Sequence, residues 1–95
     1  MSAKASPPVR FPLGNIVATP NALAHLTHTD IARAMLRHNA GDWGVLDAED
    51  RAANDNALVE GTRLLSAYVA ANGTKFWIIT EADRSVTTVL LPEDH

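Results

Sequence analysis

Two turn signals in the last third of the sequence divide it into three β-rich runs, and this pattern restricts the fold more than any other feature. The runs cover residues 62–71, 75–81 and 86–91, and the turns are Asn72-Gly73 and residues 82–85. An Asn-Gly pair between two such runs is a strong signal for a β-hairpin. The three runs therefore predict an antiparallel meander.

The middle run predicts a strand with two apolar faces. Phe76, Trp77, Ile78 and Ile79 are consecutive, and successive side chains of a strand point to opposite faces of the sheet. We expect helices to cover the face of Phe76 and Ile78. The second face, on which we place Tyr68 with Trp77 and Ile79, needs another cover.

Three kinds of cover for the second face stay open. A protein partner or a second subunit would bind at Trp77, because tyrosine and tryptophan are enriched at interface hot spots. A ligand is the second possibility. The N-terminal strand around Ile16 and Val17, or the third helix, would instead make Trp77 part of the core. The core is predicted to contain Phe76, Ile78, Leu65, Val69, Leu90, Ile31, Met35 and Leu36.

Helix start signals precede the meander at three positions. Thr19, Thr27 and Asp47 each supply a side-chain oxygen that can accept from the free N–H groups of a helix N-terminus. Pro20 follows the first of them, and Asp30 completes a capping box with the second. The predicted helices run from Pro20 to about Leu26, from after Thr27 to Ala40-Gly41, and over residues 48–60.

A short strand is predicted ahead of the first helix. Residues 13–19 hold Ile16 and Val17 after a turn-forming Gly14-Asn15, which fits a strand that can lie at a sheet edge. Residues 1–10 are predicted to be a flexible lead-in, because small residues and prolines bury little surface. A chain of 95 residues makes one domain, so residues 11–95 are predicted to form a single α+β domain.

Composition excludes several kinds of site. The sequence contains no cysteine, so it has no disulfide, no thiolate zinc site and no cysteine nucleophile. A net charge of −3 provides no basic surface of the kind that binds nucleic acid. The five glycines are scattered and form no phosphate-binding loop. No apolar run suits a signal peptide or a membrane span, so we expect a cytoplasmic protein with no cofactor, no membrane and no nucleic acid as partner.

Three histidines are candidates for metal ligands. His25 and His28 are three residues apart and His38 lies farther along, but Thr27 begins a new helix between the first two, so they do not share a helical face. No carboxylate accompanies them in the pattern of a zinc hydrolase. We therefore predict no metal site and interpret all three as surface histidines near helix ends, where the dipole favours His38.

A tight loop carries the first candidate binding residues. Gly41-Asp42-Trp43-Gly44 places two glycines around an acid and an indole, which fits a loop that presents its side chains in fixed positions. Asp42 is expected to accept a hydrogen bond from its own backbone. Trp43 is interpreted as a plug between the second and third helices, with a platform for ligand stacking as the alternative.

The tip of the last hairpin carries further candidates. Glu81, Asp83 and Arg84 lie there in a polar stretch. We expect Arg84 to form a bidentate pair with Asp42, Asp83 or Glu81, and a pair with Asp42 would couple the two loops. General acid–base catalysis would need these groups around a cleft, whereas a hairpin tip is usually solvated.

Three stretches carry a resemblance to a known family. They are residues 11–20 (FPLGNIVATP), residues 41–44 (GDWG), and the WIITEADRS and TTVLLP segments within residues 77–92. In them the chain resembles a family of short uncharacterised bacterial proteins, labelled plasmid-related, that are carried on plasmids, phages and integrative elements. The resemblance covers nearly the whole chain after the lead-in. It implies an accessory or counter-defence role for a mobile genetic element and transfers no catalytic residue.

These observations lead us to expect a non-catalytic protein-binding or regulatory module whose partner is another protein or a second copy of the chain. The alternative is a small hydrolase-type enzyme with a carboxylate and arginine cluster. Convergence of that cluster on a concave pocket would separate the two. The residues predicted to bind are Asp42, Trp43, Tyr68, Trp77, Glu81, Asp83 and Arg84.

Overall fold

The computed structural model of the chain describes residues 9–95, and it confirms an α+β fold with a C-terminal meander. The helices are α1 (Pro20–His25), α2 (His28–Asn39) and α3 (Ala48–Glu60). The strands are β1 (Asn15–Ala18), β2 (Leu64–Val69), β3 (Lys75–Thr80) and β4 (Val86–Leu90), and a 3₁₀ turn (Pro92–Asp94) follows. Of the predicted lead-in, residues 1–8 lie outside the described residues, and Arg10 N donates to the carbonyl of Asn39 at 2.7 Å.

The four strands form one mixed sheet in the order β1-β4-β3-β2. The meander is antiparallel, with β3 at its centre, as predicted. β1 lies beside β4 and runs parallel to it, with Asn15 opposite Val86 and Ala18 opposite Val89. Instead of covering the second face, β1 therefore extends the sheet in its own plane and forms one edge.

Side-chain oxygens begin all three helices, as the sequence predicts. Thr19 Oγ1 accepts from a backbone N–H of the first turn of α1 at 3.1 Å. Thr27 and Asp30 form the complete capping box, in which each side chain accepts from the other residue's N–H at 3.0 Å. Asp47 Oδ1 accepts from a first-turn N–H of α3 at 2.8 Å. Each bond satisfies a donor that the first helical turn cannot pair, so these local signals determine where the helices start.

The hairpin between β2 and β3 determines which side chains share a face. Ala70 N donates to the carbonyl of Thr74 at 2.9 Å, so the loop has three residues and Tyr68 lies opposite Phe76. Tyr68 is therefore on the helix-covered face. Its predicted place beside Trp77 is wrong, because a three-residue loop pairs even-numbered positions with even-numbered ones.

The helix-covered face holds the larger core. The prediction that Leu36 and Val69 belong to it is wrong, because their side chains are 60% and 51% exposed. Leu36 follows Met35 by one residue, a rotation of about 100° that turns it away from the sheet, and Val69 lies on the opposite face of β2. The buried members are Ala22, Leu26, Ala34, Met35, Tyr68, Ala70, Phe76, Ile78, Val89 and Leu91, and Ile31 packs against them.

The second face is covered in part by the residues that follow β4. Leu90 lies opposite Trp77 and Leu65 opposite Ile79, so both leucines belong to this face and not to the helix-covered core as predicted. The 3₁₀ turn packs against β3, and the ring of His95 lies 5.5 Å from that of Trp77. Ile79 and Leu90 are buried, while Trp77 is half-buried. Trp77 is thus partly enclosed by its own chain.

Candidate functional site

Asp42 lies in the loop between α2 and α3, where Arg37 holds it. Arg37 Nε donates to Asp42 Oδ2 at 2.8 Å and Arg37 Nη2 to Oδ1 at 3.2 Å. The N–H of Gly44 also donates to Oδ1, at 3.2 Å, which is the local backbone bond that the sequence predicts. The hydrogen bonds from Arg37 lower the pKa of the Asp42 carboxyl below its usual range. The group is therefore a fixed anion that organises the loop.

Trp43 is buried in a smaller core with Phe11, Ala57 and Leu64. Its ring stacks on that of Phe11 at a centroid distance of 6.2 Å and an interplanar angle of 24°. Its indole N–H donates to Asp55 Oδ1 of α3 at 3.0 Å. The ring fills the gap between α2 and α3, which leaves no free face for a ligand to stack on.

Tyr68 is buried beneath the same loop. Its hydroxyl donates to the carbonyl of Asp42 at 2.6 Å, and burial raises the pKa of the phenol. The guanidinium of Arg37 lies 4.8 Å from the ring centroid, where a cation is attracted to the π face. Tyr68 thus anchors the Asp42 loop to β2 and has no exposed surface for a partner.

The hairpin tip is organised by Arg84, whose guanidinium binds carbonyls. Arg84 Nη1 donates to the carbonyl of Thr62 at 2.6 Å and Nη2 to that of Ala57 at 3.2 Å. These carbonyls lie at the C-terminal end of α3, where a positive charge complements the helix dipole. Arg84 also has a φ of 60°, a conformation that is uncommon for a residue with a side chain. The expected bidentate pair with a carboxylate is not formed.

The four residues of the possible catalytic cluster do not converge. Asp42 is paired with Arg37, and Asp83 Oδ1 accepts from the N–H and the hydroxyl of Ser85 at 3.0 and 2.6 Å. The hydrogen bonds from Arg37 and Ser85 lower the pKa values of these two carboxyls, whereas a general acid needs a raised one. Within residues 9–95, no hydrogen bond or ion pair joins the side chains of Asp42, Glu81, Asp83 and Arg84.

His38 is fully buried, so its predicted position at the surface is wrong. Its Nδ1 lies 2.5 Å from Ser66 Oγ, and its Nε2 lies 2.9 Å from Thr80 Oγ1. Thr80 Oγ1 lies 2.7 Å from Thr87 Oγ1, which donates to the carbonyl of Leu13 at 2.6 Å. A chain of four hydrogen bonds thus runs across β2, β3 and β4 to the segment that precedes β1.

The bond from Thr87 to the Leu13 carbonyl determines which group donates in each of the other three hydrogen bonds. Because the Thr87 hydroxyl donates to a main-chain carbonyl, it accepts from Thr80. Thr80 in turn accepts from the Nε2–H of His38, and the Nδ1 of His38 accepts from Ser66. All of these groups are satisfied when the imidazole is neutral. Burial, and to a smaller extent the nearby charge of Arg84, lowers the pKa of His38 to about 4, in agreement with a neutral ring.

The contact between Ser66 and His38 meets only one requirement of nucleophilic catalysis. A serine nucleophile needs a base within hydrogen-bond reach, and it also needs access for a substrate. Both residues are fully buried, and the rings of Phe11 and Trp43 pack against the imidazole at centroid distances of 5.1 and 5.9 Å. The network therefore joins α2 to three strands. Hydroxyl residues at core-facing positions of three strands are the sequence signal that points to it.

The outer edge of β2 is closed by its own chain. Asn54 Nδ2 donates to the carbonyl of Leu65 at 2.6 Å, and Asn54 Oδ1 accepts from the Leu65 N–H at 3.1 Å. Ala67 N donates to the carbonyl of Trp43 at 3.1 Å, and Val45 N donates to the carbonyl of Ala67 at 2.8 Å. The Asn54 amide thus replaces a neighbouring strand, and residues 43–45 add a short parallel bridge.

Beyond Ala67, charged side chains protect the edge of β2. A groove of about 270 Å³ there is lined by Val69 together with Asp30, Arg33 and Arg37. Asp30 is already bonded at the start of α2 and to the N–H of Ala71, and Arg37 is bonded to Asp42. Charge beside an edge strand opposes pairing with another strand.

The outer edge of β1 has neither kind of protection. The N–H groups of Asn15 and Thr19 donate toward β4 at 2.9 and 3.0 Å, so in this parallel pair the backbone groups of the even-numbered Ile16 and Ala18 point outward. In the part of the chain that the structure describes, nothing bonds to these four groups. The side chains of Ile16 and Val17 are 52% and 46% exposed. Neither edge was among the predicted binding sites, although the uncharged Asn15–Ala18 run signals an unprotected strand.

His25 and His28 lie at the end of α1 and the start of α2. His25 Nδ1 lies 2.9 Å from the carbonyl of Asn21 in its own helix, and His28 begins α2. Within residues 9–95, no group of three histidine, aspartate or glutamate side chains is placed to hold a metal ion. None of the helices in this part of the chain combines the length and the hydrophobicity needed to cross a bilayer.

The sequence matches no protein-family model, no curated protein and no solved structure. The resemblance to plasmid-related proteins therefore stays a prediction. Support for a proposed function has to come from the geometry of the site.

Proposed function

We propose that the chain is a non-catalytic protein-binding module that binds an extended segment of a protein partner beside β1. The observation that carries this proposal is the set of four backbone groups on Ile16 and Ala18 that have no bonding partner within residues 9–95. An extended segment that adds to such an edge gains main-chain hydrogen bonds, and its alternate side chains contact the two faces of the sheet. β1 then becomes an interior strand of a five-stranded sheet.

The side chains of β1 offer apolar contact on both faces. Ile16 lies beside Thr87 on the helix-covered face, and Val17 lies beside Thr88 on the second face. Both are about half exposed, so a docked strand would remove apolar surface from water. Exposed edge strands are usually protected by lysine, proline or a bulge, and Asn15–Ala18 contains none of these.

The proposed binding surface at β1 contains none of the residues that the sequence predicts to bind. Trp43 and Tyr68 are core side chains, and Asp42 and Arg84 are bonded within the chain. Trp77 keeps some exposed surface on the second face, but β1 also offers backbone groups that no other described residue pairs with. No observation favours the hydrolase-type alternative, because its polar residues are separated.

Two expectations from the sequence accompany the proposal. The resemblance implies an accessory or counter-defence role for a mobile genetic element, in which case the partner would be a protein of the host. A cytoplasmic location suits such a partner. Both expectations are independent of the geometry of β1.

Selection of random peptides displayed on phage tests the proposal without requiring that the partner be identified first. The immobilised full chain and its Ile16→Pro variant are screened in parallel. Proline at position 16 removes an outward N–H and leaves the bonds to β4 in place, because residue 16 donates nothing to β4. We expect peptides selected by the wild type to bind the variant at least about tenfold more weakly.

Val59→Lys, at an exposed position of α3, is the matched control and should bind the peptides as the wild type does. Ala18→Pro, which removes the other outward N–H, provides a second variant if Ile16→Pro does not fold. Hydrogen exchange should show that bound peptide protects the amides of Ile16 and Ala18. Equal binding by the wild type and both proline variants, or a selection that yields no peptide for a chain that is also monomeric, would contradict the proposal.

A further inference from the structure

We propose that the segment that adds to β1 is β1 of a second copy of this chain, so that two sheets join into one eight-stranded sheet. This inference rests on the proposed function, because it names the partner of the same edge. Its support comes from the hydrogen bonds, the length and the side chains of β1.

The outward groups of β1 are complementary to themselves. In an antiparallel pair, two opposite residues exchange both N–H···O=C bonds, and such pairs alternate with pairs that are not bonded. When a two-fold axis passes through Val17, Ile16 of each copy lies opposite Ala18 of the other. Four hydrogen bonds then form, and they use every outward backbone group of both strands.

The open edge of β1 is so short that a segment longer than β1 would form no additional backbone hydrogen bonds with it. At its start, Gly14 has a φ of +64°, and a Cβ added there would overlap the carbonyl oxygen of Ser85, so the chain leaves the strand direction close to the last hairpin. At its end, Thr19 caps α1, and Pro20 has no N–H. Outward pairing is therefore confined to Ile16 and Ala18, which a second copy satisfies completely.

A symmetric strand pair also requires a strand without charge. Each side chain in such a pair meets its own equivalent or a near neighbour, and like charges directly opposite each other are destabilising. β1 has no charged residue. Around the axis, Val17 meets the second Val17 on one face, and the large Ile16 meets the small Ala18 on the other.

The contact between the two strands is small. Stable interfaces bury about 1,600 Å² in total, and strands of four residues supply less than this area. The dimer is therefore expected to be a weak one that forms at high concentration.

Val17 gives the sharpest test, because the axis makes it its own partner. Val17→Lys and Val17→Glu should each raise the dimer Kd at least about tenfold, since like charges then meet at the axis. An equimolar mixture of the two variants should form a heterodimer through the opposite charges. Sedimentation equilibrium of the full chain over a range of concentrations measures all of these samples, and the corresponding Val59 variants should behave as the wild type does.

Dimerisation of the wild type that Val17→Lys weakens and the mixture restores would support the inference. A wild type that stays monomeric at millimolar concentration, or a mixture that dimerises no better than either variant alone, would overturn it. If the chain is monomeric but its selected peptides still depend on the N–H of Ile16, the proposed function stands and this inference fails. If no peptide binds either, both fail.

Discussion

At the two edges of the sheet, the backbone groups that point outward meet different surroundings. On β2, the groups of Leu65 are paired with Asn54, and those of Ala67 with residues 43–45. On β1, the groups of Ile16 and Ala18 have no partner among the described residues. One amide side chain and a short loop are enough to close an edge in this small domain. The open edge is therefore a specific property of β1 and not a consequence of size.

The two edges also differ in charge. Asp30, Arg33 and Arg37 surround the end of β2, whereas β1 is uncharged and exposes Ile16 and Val17. Charge beside an edge opposes association, and an apolar edge without charge favours it. We therefore expect the β2 edge to contribute to the stability of the fold and the β1 edge to contribute to association.

The largest effect on stability is expected at the closed edge. Asn54→Leu should lower the free energy of unfolding by about 4 kcal/mol, because the Leu65 N–H and carbonyl both lose their partners while an apolar side chain excludes water. Urea denaturation measures the change. Asn56→Leu, the same substitution at an exposed position of α3, should change stability by less than about 0.5 kcal/mol. Equal stability of the two variants would show that Asn54 does not hold the edge closed.

The hydrogen-bond network that contains His38 runs from β2, at one edge of the sheet, to the segment before β1, at the other edge. Acid should weaken this network. The pKa of His38 is about 4 in the folded chain, below its ordinary value of 6.5. Between these pH values the unfolded chain binds a proton at His38 and the folded chain does not. Stability therefore falls as the pH falls, and the loss from this residue reaches about 3 kcal/mol near pH 4.

The His38→Gln variant isolates this titration, because every other titrating group is common to both chains. The wild type should be the more stable of the two above pH 6.5, and its advantage should shrink as the pH approaches 4. Urea denaturation across this range gives the difference. An advantage that does not change with pH would show that His38 is not held neutral by burial.

The Arg84 side chain joins the tip of the last hairpin to the C-terminal end of α3. Arg84→Gln should lower the free energy of unfolding by about 1–2 kcal/mol, because two carbonyls lose a charged donor at a helix C-terminus. Arg33→Gln provides a comparison on α2, where no hydrogen bond of the Arg33 side chain is seen among the described residues. If thermal denaturation finds the two variants equally stable, the hydrogen bonds of Arg84 do not stabilise the fold.

The smallest effect on stability is expected at the open edge. Ile16→Lys should change the free energy of unfolding by less than about 0.5 kcal/mol, since the side chain is half exposed and a lysine there meets water. Its effect on association should nevertheless be large. Val69→Lys, at a similarly exposed position on β2, should leave both stability and association unchanged. If Ile16→Lys and Val69→Lys raise the dimer Kd equally, association does not depend specifically on the β1 edge.

Local signals in the sequence account for the elements of the fold. The caps at Thr27 and Asp47 and the turn at Asn72-Gly73 depend on residues a few positions apart, and they predict the helix starts and the meander. They do not predict the faces of β2, because an Asn-Gly pair does not determine how many residues the loop contains. A change of one residue in register moves every side chain of the strand, including Tyr68, to the other face.

Distant contacts account for most of what the sequence did not reveal at the candidate site. β1 pairs with β4 from the opposite end of the chain, and no local pattern marks such a contact. His38 does share a helical face with Ala34 and Met35, which is a signal for burial, but its hydroxyl partners come from separate strands. The partner of Asp42 is Arg37, five residues away, because the fold directs Arg84 to the end of α3.

Hydrogen exchange at single backbone amides most directly tests the central claim that the chain associates at β1. In dilute samples, the amides of Ile16 and Ala18 should exchange rapidly, while those of Asn15 and Thr19, which donate toward β4, should be protected. At high concentration, Ile16 and Ala18 should become protected, and the other two should not change. Protection of Ile16 and Ala18 already in dilute samples, or rapid exchange of both at every concentration, would contradict this account.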